Sequence, residues 1–278
     1  MSEIQEKYKI LQKYLAELRS IAVAFSGGVD STFLLKVAHE VLGDQVMAIT
    51  ARSCLFPVRE LKEAMDFTQK ENIRHVLFDS TEFEIDGFTQ NPPNRCYLCK
   101  SELMNSICEI AQKHHLDHVV DGSNLDDQSD YRPGMIAIRE KGILSPLQIA
   151  GLSKQEVRVL SKELELPSWN KPSFACLASR FPYGESITIE KLHKIDQAEQ
   201  FLIDLGLIQV RVRYHGDLAR IETDEAGFRI LTSRTQRETI YHAFNEIGFA
   251  YTAIDLLGYR TGSMNEPILY KEAHVPNQ

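Results

Sequence analysis

The sequence predicts an α/β protein, a doubly wound parallel sheet followed by a smaller α+β module. Three observations carry that expectation. Short apolar runs at residues 21–25, 46–50 and 74–79 alternate with stretches of helical periodicity, as in parallel strands covered on both faces. A glycine turn, Ser26-Gly27-Gly28-Val29-Asp30-Ser31, joins the first run to the helix after it. Beyond residue 184 the pattern changes, and Gln209-Val210-Arg211-Val212-Arg213-Tyr214 alternates strictly, like a half-exposed strand.

The elements follow in order. Residues 4–18 place Ile4, Tyr8, Leu11, Leu15 and Leu18 along one helical stripe. After the first strand, residues 32–38 repeat apolar positions at helical spacing, and Gly43-Asp44 turns the chain into the second strand. Helices are expected over 60–71 and 97–115, with a strand at 117–121. Ser153 and Glu156 have capping-box spacing and should open a helix running to Leu164. Pro167, Pro172, Pro182 and Gly184 punctuate a long connection. Residues 189–205 and 233–247 read as helices, 219–222 and 251–256 as strands. The expected domains are therefore 1–182 and 183–278.

At 278 residues the chain can bury a sizeable core, and 43% hydrophobic with 25% charged residues is ordinary for a soluble protein. A formal net charge of −8 argues against nucleic acid as the main partner. The charged N-terminus lacks a signal-peptide core, and no apolar run approaches membrane-spanning length. A cytoplasmic location without a membrane partner is expected. In that compartment the five cysteines should not form structural disulfides.

The glycine turn has the makings of an anion site. Glycines let the backbone approach phosphate oxygens, and the helix N-terminus offers free N–H groups. Ser26 and Ser31 add hydroxyls, and Asp30 is an acid at which Mg²⁺ can bridge to phosphates. The Gly-Lys-Ser/Thr ending of a Walker loop is absent. Instead, SGGVDS resembles the PP-loop signature of the ATP pyrophosphatases, which cleave ATP to AMP and pyrophosphate while adenylating an acceptor. Asp121-Gly122-Ser123-Asn124-Leu125-Asp126-Asp127 follows a strand and opens on the same sheet edge. It is either an acidic turn or a second nucleotide loop. The PP-loop pattern at the corresponding strand favours the latter.

Cys96-Tyr97-Leu98-Cys99 puts two thiols within reach of one metal or cluster, at the entrance of a helix. A dithiol redox site needs only these two. A zinc site or iron–sulfur cluster needs more, and Cys176, in another irregular stretch, is the obvious third. The cluster is the favoured reading, with Cys176 as a lone nucleophile or sulfur donor as its competitor. Cys54 and Cys108 read as small core residues. Arg211 and Arg213 project from one strand face and, with Lys171 and Arg180, suit a phosphate. The alternative is a solvated face beside Glu222 and Glu225. No histidine has ligand spacing.

Several motifs together resemble the LarE family over nearly the whole chain. They are SGGVDS, Asp130-Tyr131-Arg132-Pro133-Gly134, Ser179-Arg180-Phe181-Pro182-Tyr183-Gly184, and Val210-Arg211-Val212-Arg213-Tyr214-His215 with Ala219-Arg220-Ile221-Glu222. The resemblance implies an adenine nucleotide α-hydrolase-like fold and ATP-dependent sulfur transfer. The acceptor is pyridinium-3,5-biscarboxylic acid mononucleotide, a precursor of the nickel-pincer cofactor of lactate racemase. Some members sacrifice the sulfur of one cysteine, which becomes dehydroalanine. Others hold a [4Fe-4S] cluster on three cysteines, and Cys96, Cys99 and Cys176 resemble that type. The resemblance further implies ATP with Mg²⁺ at Ser26, Gly27, Gly28, Asp30, Ser31, Asp121 and Gly122. Ser179, Arg180, Arg211 and Arg213 would hold substrate phosphate, with Glu199 and Glu222 as further polar or metal contacts. It also implies a homohexamer, and contact with the carboxylase and nickel-insertion proteins of the same pathway. The nearest rival is a cluster-dependent tRNA thiolase, which should carry a basic RNA surface.

Overall fold

The computed structural model describes residues 2–128, 133–172, 175–260 and 262–265. Contacts within the chain cluster into two units, Met1–Phe88 with Pro93–Phe174, and Thr89–Pro92 with Ala175–Gln278. Residues 130–132 of the Asp130–Gly134 motif, together with Ser173 and Phe174, lie outside the described residues.

The first unit begins with α1 (Glu3–Leu18), which turns Leu11, Leu15 and Leu18 inward from one face. β1 (Ile21–Ala24), α2 (Val29–Leu42), β2 (Val46–Arg52), α3 (Val58–Lys70) and β3 (Arg74–Asp79) follow. Next come α4 (Arg95–Lys113), β4 (His118–Val120), α5 (Pro133–Glu140), the short α6 (Pro146–Ile149) and α7 (Lys154–Glu163). The four strands form one sheet in the order β3-β2-β1-β4, every pair parallel. Neighbouring residues of a strand point to opposite faces. Ile21, Val23, Val46 and Ala48 accordingly join a core with Leu11 and Leu15 of α1, Phe33 and Leu34 of α2, and Val157 and Leu160 of α7. Ala22, Met47 and Ile49 join another with Met104 and Ile107 of α4 and Ile138 of α5. Each large side chain so buried contributes about 1.5–3 kcal/mol. This is the doubly wound sheet that the apolar runs predict. The capping box also forms, with the Glu156 N–H donating to Ser153 Oγ and the Ser153 N–H to the Glu156 carboxylate.

The second unit holds α8 (Ile189–Asp204), β5 (Val210–His215), β6 (Leu218–Thr223), α9 (Glu225–Thr232), α10 (Arg234–Ile247) and β7 (Tyr251–Ile254). Its sheet runs β5-β6-β7, with β5 antiparallel to β6 and β7 parallel to β6. One expectation fails here. β5 is buried along Val210–Tyr214 rather than half exposed, although its valines and arginines alternate. Glu222 on β6 pairs with Arg213, and Glu199 on α8 accepts from the Val212 N–H while pairing with Arg180, so that buried acids meet the arginines of this interior. α9 is a helix that the periodicity did not announce, started by Asp224, whose carboxylate accepts from the Gly227 N–H at 2.8 Å. No helix among the described residues is long and apolar enough to cross a membrane.

Candidate active site

The first unit builds its site at the C-terminal edge of the sheet, where β1 passes into α2. Gly28 precedes the helix in an extended conformation, and no side chain caps the first turn. The N–H groups there face out with the positive end of the helix dipole. Gly27 has φ +72°, and a Cβ on it would lie 3.2 Å from Ala64 Cβ and 3.3 Å from the Glu60 carbonyl on α3. A glycine is required on both counts. The Ser26 and Ser31 hydroxyls lie 3.0 Å apart, and Ser31 Oγ also donates to the Gly28 carbonyl at 3.2 Å. The loop is thus closed on itself before any ligand arrives.

The loop after β4 comes so close that a Cβ on Gly122 would lie 2.9 Å from the Ser31 nitrogen. Asp121 is buried and accepts from the Ser123 and Ser145 hydroxyls, so it shapes the turn. Asp127 accepts from the Asn124 N–H, and Asp126 from the Lys154 N–H at the start of α7. Asp30 pairs with the Lys154 ammonium and accepts from Asn124 Nδ2 at 3.3 Å. Lys171 pairs with Glu60 at 2.7 Å and Glu63 at 2.5 Å, and donates to the Gly27 carbonyl at 3.4 Å. Two lysines therefore flank the loop, each held by acids.

Cys96 and Cys99 lie in the opening turns of α4, three residues apart and so on one face. Cys96 is exposed and Cys99 partly so. The buried Arg95 guanidinium donates to Cys96 Sγ at 3.8 Å. Cys54 and Cys108 differ in kind. Burial, with Glu82 nearby, pushes the Cys54 thiol up to about 11, and burial also raises that of Cys108. Cys176, in the second unit, is partly exposed and opens the 3₁₀ turn Leu177–Arg180. Within either unit, the described residues hold no group of three or more His, Cys, Asp or Glu placed for a metal ion.

In the second unit Arg180 is fully buried. Its Nε and Nη2 donate to the two carboxylate oxygens of Glu199 at 2.8 and 2.9 Å. Its Nη1 donates to the Ala175 carbonyl at 2.6 Å, the Cys176 carbonyl at 3.2 Å and Ser179 Oγ at 2.9 Å. Arg180 thus ties down the turn that carries Cys176. Arg213 reaches Glu222 at 2.6 Å, the Ser263 hydroxyl at 3.0 Å and the Ser179 carbonyl at 3.1 Å, while its buried Nε has no hydrogen-bond partner. Arg211 stacks over the Tyr259 ring at 5.3 Å. Burial, then the charge of Arg180, brings its guanidinium down to about 10. Among the described residues of this unit, the buried cations are Arg180, Arg211 and Arg213, and the buried acids are Glu199 and Glu222.

An uncharacterized protein of Synechocystis sp. is 43% identical to the chain over 262 residues, 94% of this chain and 98% of that protein. The pyridinium-3,5-bisthiocarboxylic acid mononucleotide synthase of Lactiplantibacillus plantarum is 37% identical over 274 residues, 96% of this chain and 97% of the synthase. The chain belongs to the LarE family. Membership accounts for the parallel sheet with its glycine turn as a PP-loop fold. A subunit of the glutamine-hydrolysing GMP synthase of Thermoplasma volcanium is 25% identical over 165 residues, 54% of this chain and 53% of that subunit. The likeness to the LarE synthase, by contrast, runs the length of both chains. No protein-family profile matches.

Sequence reasoning overlooked Lys154 as a site residue. Its only sign was its place inside the capping box, one residue after Ser153. Asn124 was visible within the β4 loop, but its bond to Asp30 depends on packing across 94 residues of sequence. Lys171 was expected beside Arg180 at a phosphate. Within the first unit it lies at the glycine turn.

Proposed function

We propose that this chain is an ATP-dependent sulfur transferase acting on pyridinium-3,5-biscarboxylic acid mononucleotide. The observation that carries the reading is the 37% identity to the bisthiocarboxylate synthase, which extends through the nucleotide loop and the arginine-bearing unit alike. The uncapped N-terminus of α2 with Gly27 and Gly28 supports binding of the ATP phosphates, and Asp30 is the carboxylate for Mg²⁺. A substrate carboxylate attacks the α-phosphorus, a P–O bond forms, and the α–β bridge breaks to release pyrophosphate. The acyl-adenylate now has AMP as a leaving group, which a free carboxylate lacks. A sulfur nucleophile adds to the acyl carbon, the C–O bond to AMP breaks, and a thiocarboxylate remains. No electrons are gained or lost. Repetition on the second carboxylate gives the bisthiocarboxylate.

The second unit, in this reading, binds substrate. Arg211 and Arg213 hold its phosphate, while Glu222 keeps the Arg213 guanidinium in place and Glu199 that of Arg180. Arg180 and Ser179 hold the Cys176 turn beside them. Cys96 and Cys99, on one helical face of the first unit, and Cys176 of the second would be the three cysteine ligands of a [4Fe-4S] cluster. A cluster held by these cysteines would supply the sulfur nucleophile at the level of sulfide. The assembly is a homo-oligomer.

The test is anaerobic purification with iron and sulfide analysis, followed by incubation with MgATP, sulfide and the biscarboxylate mononucleotide. AMP, pyrophosphate and thiocarboxylate should appear over many turnovers. Iron-free protein that turns over once and leaves Cys176 as dehydroalanine would replace the cluster with sacrificial transfer. ATP-dependent thiolation of tRNA, with none of the mononucleotide, would overturn the reading as a whole.

A further inference from the structure

A short turn fastened onto the end of β6 delivers Tyr259 to its place. The Asp255 N–H donates to the Ile221 carbonyl and the Tyr259 N–H to the Thr223 carbonyl, both at 2.9 Å. Between these clips the Asp255 carboxylate accepts from the Leu257 N–H at 2.9 Å and from the Arg220 and Arg260 guanidinium groups. Gly258 has φ +67°, and a Cβ on it would lie 2.6 Å from the Thr223 carbonyl oxygen. Only glycine lets the turn come so close to the strand. The result is a ring held against β5, with the Arg211 guanidinium over it at 5.3 Å.

Arg211 is buried, and its Nη1 donates to the Val210 carbonyl at 2.6 Å. Arg180 and Arg213 of the same unit face the carboxylates of Glu199 and Glu222. The two kinds of support differ in effect. A carboxylate fixes a guanidinium by neutralising it, whereas an aromatic face attracts through its quadrupole and leaves the full positive charge. Burial brings the Arg211 group down to about 10, still a cation at neutral pH. We propose that Tyr259 is a positioning residue that holds Arg211 as a charged ligand for the substrate phosphate. The assignment rests on the reading of Arg211 as a phosphate contact given above. It is the ring face rather than the hydroxyl that acts, and it acts through the guanidinium, with no phosphate contact of its own. No covalent bond changes.

Calorimetric titration of the full-length protein with the biscarboxylate mononucleotide, and with its nucleoside lacking the phosphate, tests the assignment. Tyr259→Leu should weaken the mononucleotide about fivefold or more and leave the nucleoside within about twofold, whereas Tyr259→Phe should bind both as wild type does. Increasingly fluorinated phenylalanines at position 259 keep the shape and drain the negative ring face, so mononucleotide affinity should fall stepwise with fluorine content. Thermal unfolding shows whether each variant is folded, and the fluorinated series keeps the test open should the leucine variant not be. Equal losses for mononucleotide and nucleoside, an affinity indifferent to fluorination, or a Tyr259→Phe variant as weak as Tyr259→Leu would overturn the proposal. Wild-type affinity for the mononucleotide in Arg211→Gln would instead overturn the phosphate reading of Arg211 itself.

Discussion

Arg180 and Glu199 meet in an interior closed to water, 0% and 1% exposed, through two hydrogen bonds of 2.8 and 2.9 Å. Burial alone would raise the Glu199 carboxyl, but the Arg180 charge overrides it and holds the group below the usual carboxylate range. Removing one partner strands the other. Glu199→Ala should destabilise the protein by about 3–5 kcal/mol in denaturant unfolding. Arg180→Met with Glu199→Met should recover much of that loss and still leave the Cys176 turn without its anchor.

Gly27→Ala combines two penalties. The left-handed backbone costs roughly 1–2 kcal/mol for any residue with a Cβ. The added methyl also meets the α3 backbone, at the Glu60 carbonyl. The expected outcome is a modest fall in unfolding stability with a loss of ATP affinity beyond tenfold. Wild-type affinity in the variant would show that the loop tolerates displacement.

His75 lies behind the loop strand, its ring nitrogens 2.9 and 2.8 Å from the Thr68 and Thr50 hydroxyls and its edge against Phe25. Burial lowers its pKa from 6.5 to about 4. Unfolded chains take up the imidazole proton below pH 6.5, and the native state does so only near pH 4. Stability conferred by the neutral ring is therefore complete above pH 6.5 and falls progressively between 6.5 and 4. Denaturant unfolding across that window should show a steeper decline for wild type than for His75→Gln. An NMR titration should find the ring neutral at pH 5.

Alkylation should sort the cysteines of the metal-free protein. Cys96 is exposed, whereas burial keeps Cys54 and Cys108 protonated at pH 8. Iodoacetamide, read by peptide mass, should label Cys96 well before these two. Cys54→Ser and Cys108→Ser should retain sulfur transfer, and Cys96→Ser should not.

The strand–turn–helix of the nucleotide loop was legible because it is local. Ser26 to Ser31 are contiguous, and the conformation of Gly27 follows from the turn itself. The doubly wound sheet was legible because strands apolar on both faces leave a continuous signature. The arginines of β5 misled for the converse reason. Alternating Val and Arg has the pattern of a half-solvated strand, and only tertiary contacts reveal Glu222 as the buried partner of Arg213 and Glu199 as a buried acid against the Val212 N–H. The ion pair of Lys154 with Asp30 spans 124 positions and leaves no local pattern at all.

Residues Thr89–Pro92 belong to the second unit although the chain on either side belongs to the first. They are tied in by the Ile187 N–H on the Thr89 carbonyl, the Gly184 N–H on the Asn91 carbonyl, and Asn91 Nδ2 on the Pro182 carbonyl at 2.7 Å. A gene split near codon 174 would consequently not yield two self-sufficient fragments. The downstream piece would lack the segment that its own amides bond, and the upstream piece would carry that segment with nothing to receive it. The segment also ends four positions before Cys96. Loss of the downstream half would thus reach the first cysteine through the peptide chain, which makes the two halves hard to recombine independently as modules.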